Sequence, residues 1–284
     1  MGDSMRADYI TREQFDSSQL PECLKVSTIS LTFSMSTNVN FDAIAAHHEL
    51  SKDGICSINH QGVCRTILEE GKKRKKQSKN NGTKEKKNFF NSITVNVGVG
   101  NERYIHSKIF NNGSVQMAGF IGIEEANKAV NTLTTLLSQP AVVDGVEVPY
   151  TQSPIVISKM KINLINVGFC MPYHIHRDTL NDILISKGVK CILEKCKHAG
   201  VRIKYLPEGK EKDIAIFVFE KGSVVITGSK NHHHILSGYA FITGIFEEHM
   251  AEIKKDEMDT LSCIRGSRFA HLIRGAGGLQ LSTT

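Results

Sequence analysis

The feature that most constrains this chain is an internal similarity between its two halves. A shift of 136 residues places Val26–His48 on Ile162–Leu184 without a gap, and a shift of 109 residues places Ser92–Leu137 on Val201–Phe246. Apolar residues and glycines recur at matching positions, among them Ile29 with Ile165, Phe33 with Phe169, Phe110 with Phe219, and Gly113 with Gly222. The chain is therefore expected to contain two diverged copies of one structural unit.

The two shifts differ by 27 residues, which predicts an insertion in the first copy that the second copy lacks. The insertion is expected to be a surface loop at about residues 60–88. The predicted organisation is a flexible segment 1–24, a first repeat 25–139 that includes the insertion, a linker 140–157, a second repeat 158–250 and a tail 251–284.

The basic character of the chain comes from one tract inside that insertion. Lys72–Lys87 holds nine Lys or Arg residues and one Glu, so the tract has a charge of +8. The whole chain has a net charge of +6, so all other residues together have a charge of −2. Such a tract is either a solvated loop, a nuclear-import signal, or a segment that contacts phosphates with salt-dependent affinity. Net charge alone is thus no argument for a nucleic-acid-binding face.

Each copy has the pattern of an α+β unit. Ile29, Leu31, Phe33 and Met35 alternate as in a half-buried strand, and a helix is expected from about Asn40. Further strands follow, with a hairpin at Asn111-Asn112-Gly113, and apolar residues from Ala126 to Leu137 are spaced for one face of a closing helix. The second copy repeats this order up to Phe246.

Several classes of function are excluded by what the sequence lacks. No run of apolar residues is long enough for a membrane span, and the N-terminus has no signal-peptide pattern, so an intracellular protein without a membrane partner is expected. The seven cysteines are read as reduced thiols. Motifs for a nucleophile, a phosphate-binding loop or a zinc protease are missing, so we expect no enzyme, no cofactor and no small-molecule substrate.

Two groups of potential metal ligands are more simply explained as surface residues. His232, His233 and His234 are consecutive and point about 100° apart on a helix, so they cannot converge on one ion. Cys191, Cys196 and His198 lack a fourth ligand. No metal site is predicted.

The segment Ile214-Ala-Ile-Phe-Val-Phe219-Glu-Lys-Gly222-Ser-Val-Val-Ile-Thr227-Gly228-Ser-Lys230 resembles the strand, turn, strand and Thr-Gly-x-Lys run of the TATA-box-binding protein family. In that family an aromatic residue stands three positions before the turn glycine, as Phe219 and Phe110 do here. The resemblance extends over both repeats, about residues 26–250. The chain resembles a diverged member of the family, of the kind that large DNA viruses encode.

The resemblance implies an α+β fold in which two repeats form a saddle-shaped, ten-stranded antiparallel sheet with four helices on its convex face. The concave face then binds double-stranded promoter DNA in the minor groove, with apolar wedges that unstack base steps. The family's DNA-contacting positions and their neighbours on this face fall on Phe110, Phe219, Thr227, Val225, Phe217, Lys108, Gln116, Ala118, Asn163 and Thr28. Ala215 and His106 share the same face, whereas Ile214, Ile216, Val218, Val224 and Ile226 are expected to pack on the helices.

This chain departs from the family pattern at several of those positions. The first-strand Asn of the family falls near Thr28 in the first copy and near Leu164 in the second, where Asn163 is one residue away. Ala118 does not match its counterpart, and residues near Ile93 and Val201 replace the second wedge aromatic of each repeat. These changes are expected to weaken sequence reading and bending.

The predicted function is therefore a transcription initiation factor that binds promoter DNA and recruits a transcription factor IIB-like protein and RNA polymerase. It is expected in the nucleus, or in a cytoplasmic viral factory if a virus encodes it. The alternative is a saddle-shaped interaction scaffold of the transcription machinery that has lost sequence-specific DNA binding. A third option is an accessory domain of a separate enzyme.

Overall fold

Strands dominate the computed structural model, which describes residues 9–68, 91–196, 198–208 and 212–255. The first predicted repeat contains two helices and six strands. Five of the strands follow the expected order, and β3 is additional. They are β1 (Lys25–Ser34), α1 (Phe41–His47), β2 (Ile55–His60), β3 (Val63–Thr66), β4 (Ser92–Gly100), β5 (Arg103–Phe110), β6 (Ser114–Phe120) and α2 (Ile123–Ser138).

The second predicted repeat has the same order of main elements after a short hairpin. The elements are β7 (Ala141–Val143), β8 (Val146–Val148), β9 (Ser158–Cys170), β10 (His174–Ile175), α3 (Arg177–Ser186), β11 (Cys191–Ile192), β12 (Gly200–Tyr205), β13 (Ile214–Phe219), β14 (Ser223–Ser229), α4 (His232–Glu248), α5 (Met250–Ile253) and β15 (Lys254–Lys255). No helix within the described ranges is long and apolar enough to cross a bilayer.

The chain divides into two compact units whose boundary lies inside β9 and β14. The first unit comprises Met1–Val167 with Thr227–His234, and the second comprises Gly168–Ile226 with Ile235–Thr284. Strand order in the first unit is β14-β9-β1-β6-β5-β4-β2-β3, and in the second it is β11-β12-β13-β14-β9. The fold is thus α+β with a large antiparallel sheet, as predicted.

The sheet has eleven strands rather than ten because the insertion begins as a strand and not as a loop. Val63–Thr66 pairs antiparallel with β2. Gln61 and Gly62 between them both have positive φ angles, 50° and 87°, which is the geometry of a tight two-residue hairpin. The basic tract Lys72–Lys87 lies outside the described residues.

Each unit has its own helix-covered core, built from the residues that alternate toward one side of the strands. Ile105, Ile109, Val115 and Met117 are buried in the first unit, where α2 packs on β4 and β6. In the second unit Ile214, Ile216, Val218, Val224 and Ile226 are buried, as predicted. Gly238 of α4 allows close packing there, since a Cβ would lie 2.8 Å from the Ile214 side chain.

Two turn glycines that the 109-residue shift pairs have matching environments. Gly113 and Gly222 both have positive φ angles, 76° and 82°. A Cβ on Gly113 would lie 2.1 Å from the carbonyl oxygen of Thr37, and a Cβ on Gly222 would lie 2.6 Å from that of Tyr173. Thr37 and Tyr173 are themselves related by the 136-residue shift. Only glycine fits either turn without distortion.

The N-terminal segment differs from the flexible segment that was predicted for residues 1–24. From residue 9 onward it packs on the first unit, with Ile10 and Phe15 buried. The Asn127 side chain on α2 accepts a hydrogen bond from the Ile10 N–H and donates one to the Ile10 carbonyl, both at 3.0 Å. The composition of this segment is polar, but its few apolar residues face the core.

Both the predicted linker and the start of the tail contain paired strands. Within 140–157, β7 and β8 form a hairpin, and Thr151 forms a bridge with Val39. In the second unit the tail begins within α5, and β15, which follows it, pairs with β10. The remainder of the tail lies outside the described residues.

Candidate nucleic-acid interface

The side of the sheet that faces away from the helices, here called the open face, carries most of the predicted DNA-contacting residues. Residues on β5 alternate strictly: Ile105, Ser107 and Ile109 are buried, while the residues between them are partly or fully exposed. Period-two alternation of this kind assigns the two sets to opposite sides of the strand.

The open face of the first unit is polar. Lys108 lies directly opposite Gln116, and His106 lies opposite Ala118, across the β5–β6 pair. Thr32 on β1 lies opposite Gln116 on its other side. Lys108 and Gln116, which were predicted, and Thr32, which was not, therefore form one row across three strands, with His106 and Ala118 in the next row.

Phe110, at the end of β5, lines a cleft of about 340 Å³ beside this row. The cleft is also lined by Gln116 and by two lysines of β9, Lys159 and Lys161. The Lys108 ammonium is 6.0 Å from the centroid of the Phe110 ring, at the outer limit of a cation–π contact. An aromatic face and several ammonium groups thus occupy the same small region.

Two asparagines of β9 hold neighbouring hydroxyl groups on the open face of the first unit. The Thr32 hydroxyl donates to the Asn163 side-chain oxygen at 3.3 Å. The Thr227 hydroxyl donates to the side-chain oxygen of Asn166, and the Ser27 hydroxyl donates to the Asn166 backbone carbonyl at 3.1 Å. Thr28 lies half-buried on β1 beside Ser27. The side-chain amides of Asn163 and Asn166 are thereby fixed in orientation, and their N–H groups are of a kind that can donate to base edges.

The open face of the second unit is apolar and aromatic. Phe217, Phe219 and Val225 are half-buried on β13 and β14, on the side opposite the buried Ile216 and Val218. The exposed His198 ring lies over both aromatic side chains, with its centroid 4.9 Å from that of Phe217 and 5.9 Å from that of Phe219. Three rings are therefore grouped on this surface.

Basic residues border the aromatic group on the adjacent strand β12. Arg202 lies opposite Phe217 and Lys204 lies opposite Ala215, and both cationic side chains are exposed. Together with Lys212 they line a shallow cleft of about 430 Å³. This arrangement of an apolar strip beside cations fits a polyanion that also offers apolar surface.

An ion-pair network lies at the turn between β13 and β14, next to the open face of the second unit. Glu220 forms salt bridges with Lys255 at 2.8 Å and with Arg177 at 2.7 Å. The hydrogen bond from Lys255, aided by Arg177, holds the pKa of Glu220 below its ordinary value. The network ties the C-terminal strand β15 to the turn.

Metal ligation was considered for the described part of the chain because histidines and cysteines lie close together in its sequence. Within those ranges, no three His, Cys, Asp or Glu residues converge as metal ligands. His232, the first of the three consecutive histidines, is buried at the start of α4, although a surface position was predicted.

Sequence reasoning missed three features of the open face. Asn166 was overlooked, although the 136-residue shift pairs it with Ser30, which lies opposite Ala118 in the sheet. His198 was considered only as a metal ligand with Cys191 and Cys196. Lys159 and Lys161 were also missed. They alternate with buried or half-buried residues of β9, and the same two-residue spacing leads to Asn163, so all three side chains lie on one side of the strand.

Comparison with known proteins gives one curated relative. Over 255 residues the chain is 31% identical to a protein named "TATA-box-binding protein-like" from Acanthamoeba polyphaga mimivirus, and the match covers 81% of this chain and 67% of that protein. No family model matches the chain. Among solved structures, Methanococcus jannaschii TBP is similar with a TM-score of 0.49 and 16% identity, over 80% of this chain and 99% of that one.

Proposed function

Because the chain belongs to the TATA-box-binding-protein-like family, we propose that it is a transcription factor that binds double-stranded promoter DNA through the open face of its sheet. The DNA lies with its minor groove against the open face, and the protein itself is not an enzyme. Recruitment of a transcription factor IIB-like protein and RNA polymerase then follows through other surfaces. It acts in the nucleus or in a cytoplasmic viral factory.

The observation that carries this proposal is the chemistry of the open face in the second unit. Phe217, Phe219 and Val225 form an apolar strip that remains partly exposed, and the cationic side chains of Arg202 and Lys204 border it. The minor groove offers sugar edges and base steps to apolar side chains, while the phosphates on either side attract cations. A duplex satisfies both kinds of group at once.

The first unit supports the same proposal with polar groups. Lys108, Lys159 and Lys161 supply positive charge beside Phe110. Asn163 and Asn166 present amide N–H groups that can donate to the acceptors of the minor-groove floor, because their side-chain oxygens already accept from the Thr32 and Thr227 hydroxyls. These hydrogen bonds orient the two amides before DNA arrives, which reduces the entropy lost on binding.

One observation favours the scaffold as a second candidate function. The net charge of −2 outside the basic tract gives little long-range attraction to DNA. A scaffold would use the same strip to bind an apolar protein surface.

Fluorescence-anisotropy titration separates the two candidates. The purified full chain is titrated against a TATA-containing duplex and a scrambled duplex of the same composition, each at two salt concentrations. The proposal predicts tighter binding to the TATA duplex at both salts. Equal and steeply salt-dependent binding to the two duplexes, or no binding, would favour the scaffold.

A further inference from the structure

The two units have unlike open faces, and from this we infer that they act differently on DNA. The aromatic open face of the second unit unstacks a base step, while the lysine-bearing open face of the first unit holds the phosphate backbone without unstacking. This inference rests on the proposed function and adds to it the part that each unit plays. It also assigns His198 as a DNA-contacting residue.

The contrast is visible at positions that the 109-residue shift pairs. Phe110 and Phe219 are alike, but the residues around them are not. The first repeat has His106, Lys108 and Gln116 where the second has Ala215, Phe217 and Val225. All six lie on the open sides of β5, β6, β13 and β14.

The second repeat has the composition of a wedge. Phe219 is flanked by Phe217 and Val225 on the strands and by the His198 ring above them. Close packing fixes the position of Phe219, since a Cβ on the neighbouring Gly200 would lie 3.1 Å from atoms of its ring. Rigid, grouped aromatic rings are suited to stack against bases and to enter a base step.

In the first unit, lysines lie around the Phe110 ring. The Lys108 ammonium lies over the Phe110 ring, and Lys159 and Lys161 line the same cleft. Inserting Phe110 into a base step would carry these ammonium groups toward the apolar stack, away from the phosphates and water that solvate them. Phosphate contact keeps the ammonium groups solvated and releases counterions from the DNA.

The test measures unstacking at a single base step. A duplex is prepared with one flexible TA step in otherwise G·C-rich flanks, and 2-aminopurine replaces the adenine of that step, since its fluorescence rises when it unstacks. The wild-type chain is compared with Phe219→Ala, Phe110→Ala and the double variant Lys159→Gln, Lys161→Gln, all at saturating protein.

The expected pattern is unequal. Wild type raises the fluorescence, Phe219→Ala loses most of that rise, and Phe110→Ala keeps most of it. The lysine double variant keeps the rise at saturation, but its log–log salt slope falls by about two, one for each lost phosphate contact. His198→Ala loses part of the rise, whereas His198→Phe retains it.

If Phe110→Ala loses as much of the fluorescence rise as Phe219→Ala, or more, the inference is overturned. Binding of the duplex by the wild-type chain would still support the proposed function in that case. Failure of the wild-type chain to bind the duplex would overturn both. If Phe219→Ala does not fold, Phe219→Leu retains the apolar volume without a ring, and it is expected to bind with a reduced fluorescence rise; an undiminished rise would contradict the aromatic role.

Discussion

The Thr227 hydroxyl donates a hydrogen bond to the side-chain oxygen of Asn166 on the neighbouring strand β9. Two strands that meet near the unit boundary are thereby linked on the open face by a pair of polar side chains. The equivalent pair in the first repeat, Ser30 and Ala118, lie opposite each other in the sheet but have no amide. The amide of Asn166 is therefore specific to the second repeat.

We expect Asn166→Ala to weaken binding to a TATA duplex by about tenfold and to bind a scrambled duplex nearly as wild type does. The loss of one oriented amide removes a hydrogen bond to a base edge, worth about 1–2 kcal/mol. Anisotropy titration gives both affinities. Gln139→Ala, an exposed amide after α2, is the matched control and should leave both unchanged; an unchanged TATA affinity for Asn166→Ala would contradict the role of the amide.

The turn glycines are expected to be intolerant of a side chain. Gly113→Ala and Gly222→Ala each place a Cβ against a backbone carbonyl and force a positive φ on alanine, so each should lower the free energy of unfolding by about 2–3 kcal/mol. Urea unfolding measures the change. Gly244→Ala in α4 is the control, because its Cβ would meet nothing within 4 Å and a helical alanine should stabilise by about 0.5–1 kcal/mol.

The positive φ angles of Gly113 and Gly222 could be predicted from the sequence. Both copies have a glycine at the same position of a predicted hairpin turn, and this indicates a backbone conformation that favours glycine. The alternation of Ile214, Ile216 and Val218 with Ala215, Phe217 and Phe219 likewise predicts which side of β13 is buried. Such patterns are local, since they depend only on strand geometry and on the turn that follows.

Other features depend on long-range packing and could not be obtained in this way. His198 lies in a short loop with no periodicity, so nothing in its neighbours predicts that its ring reaches Phe217. Residues 9–24 are polar on average, yet Ile10 and Phe15 are buried, and Ile10 is held by Asn127 of α2, more than 100 residues away in sequence. Strand β3 was not predicted because the turn before it is Gln61-Gly62, and Gln-Gly indicates a two-residue hairpin less strongly than Asn-Gly does.

The docked N-terminal segment is expected to contribute to the stability of the first unit. Phe15 is fully buried, so Phe15→Ala should lower the free energy of unfolding by about 3–5 kcal/mol. Urea unfolding followed by circular dichroism checks this, with Gln14→Ala, an exposed neighbour, as the control. A loss below 1 kcal/mol for Phe15→Ala would show that the segment does not pack in solution as described.

Acid is expected to weaken the attachment of β15 to the β13–β14 turn. The pKa of Glu220 is lowered in the folded state by Lys255 and Arg177, so its contribution to stability is complete above the unfolded-state pKa and is lost as the pH falls through the folded-state pKa. Glu220→Gln should therefore be less stable than wild type at pH 7, and the difference should shrink below about pH 4.

Urea midpoints of both proteins at pH 7 and pH 3 test this pH dependence. Glu147→Gln, on the exposed β7–β8 hairpin, is the control and should follow wild type at each pH. A difference between Glu220→Gln and wild type that is the same at pH 3 as at pH 7 would mean that the carboxylate charge is not what stabilises the turn.

Binding of DNA on the open face is tested by an anisotropy titration of the Phe110→Ala, Phe219→Ala double variant against a TATA duplex. The control double variant, Val142→Ala with Ile185→Ala, removes two exposed apolar side chains that lie outside the proposed interface. Base stacking on the Phe219 ring contributes about 1–3 kcal/mol, so the phenylalanine double variant should bind at least about fivefold more weakly while the control matches wild type. Equal affinities for wild type and both double variants would contradict binding through the open face.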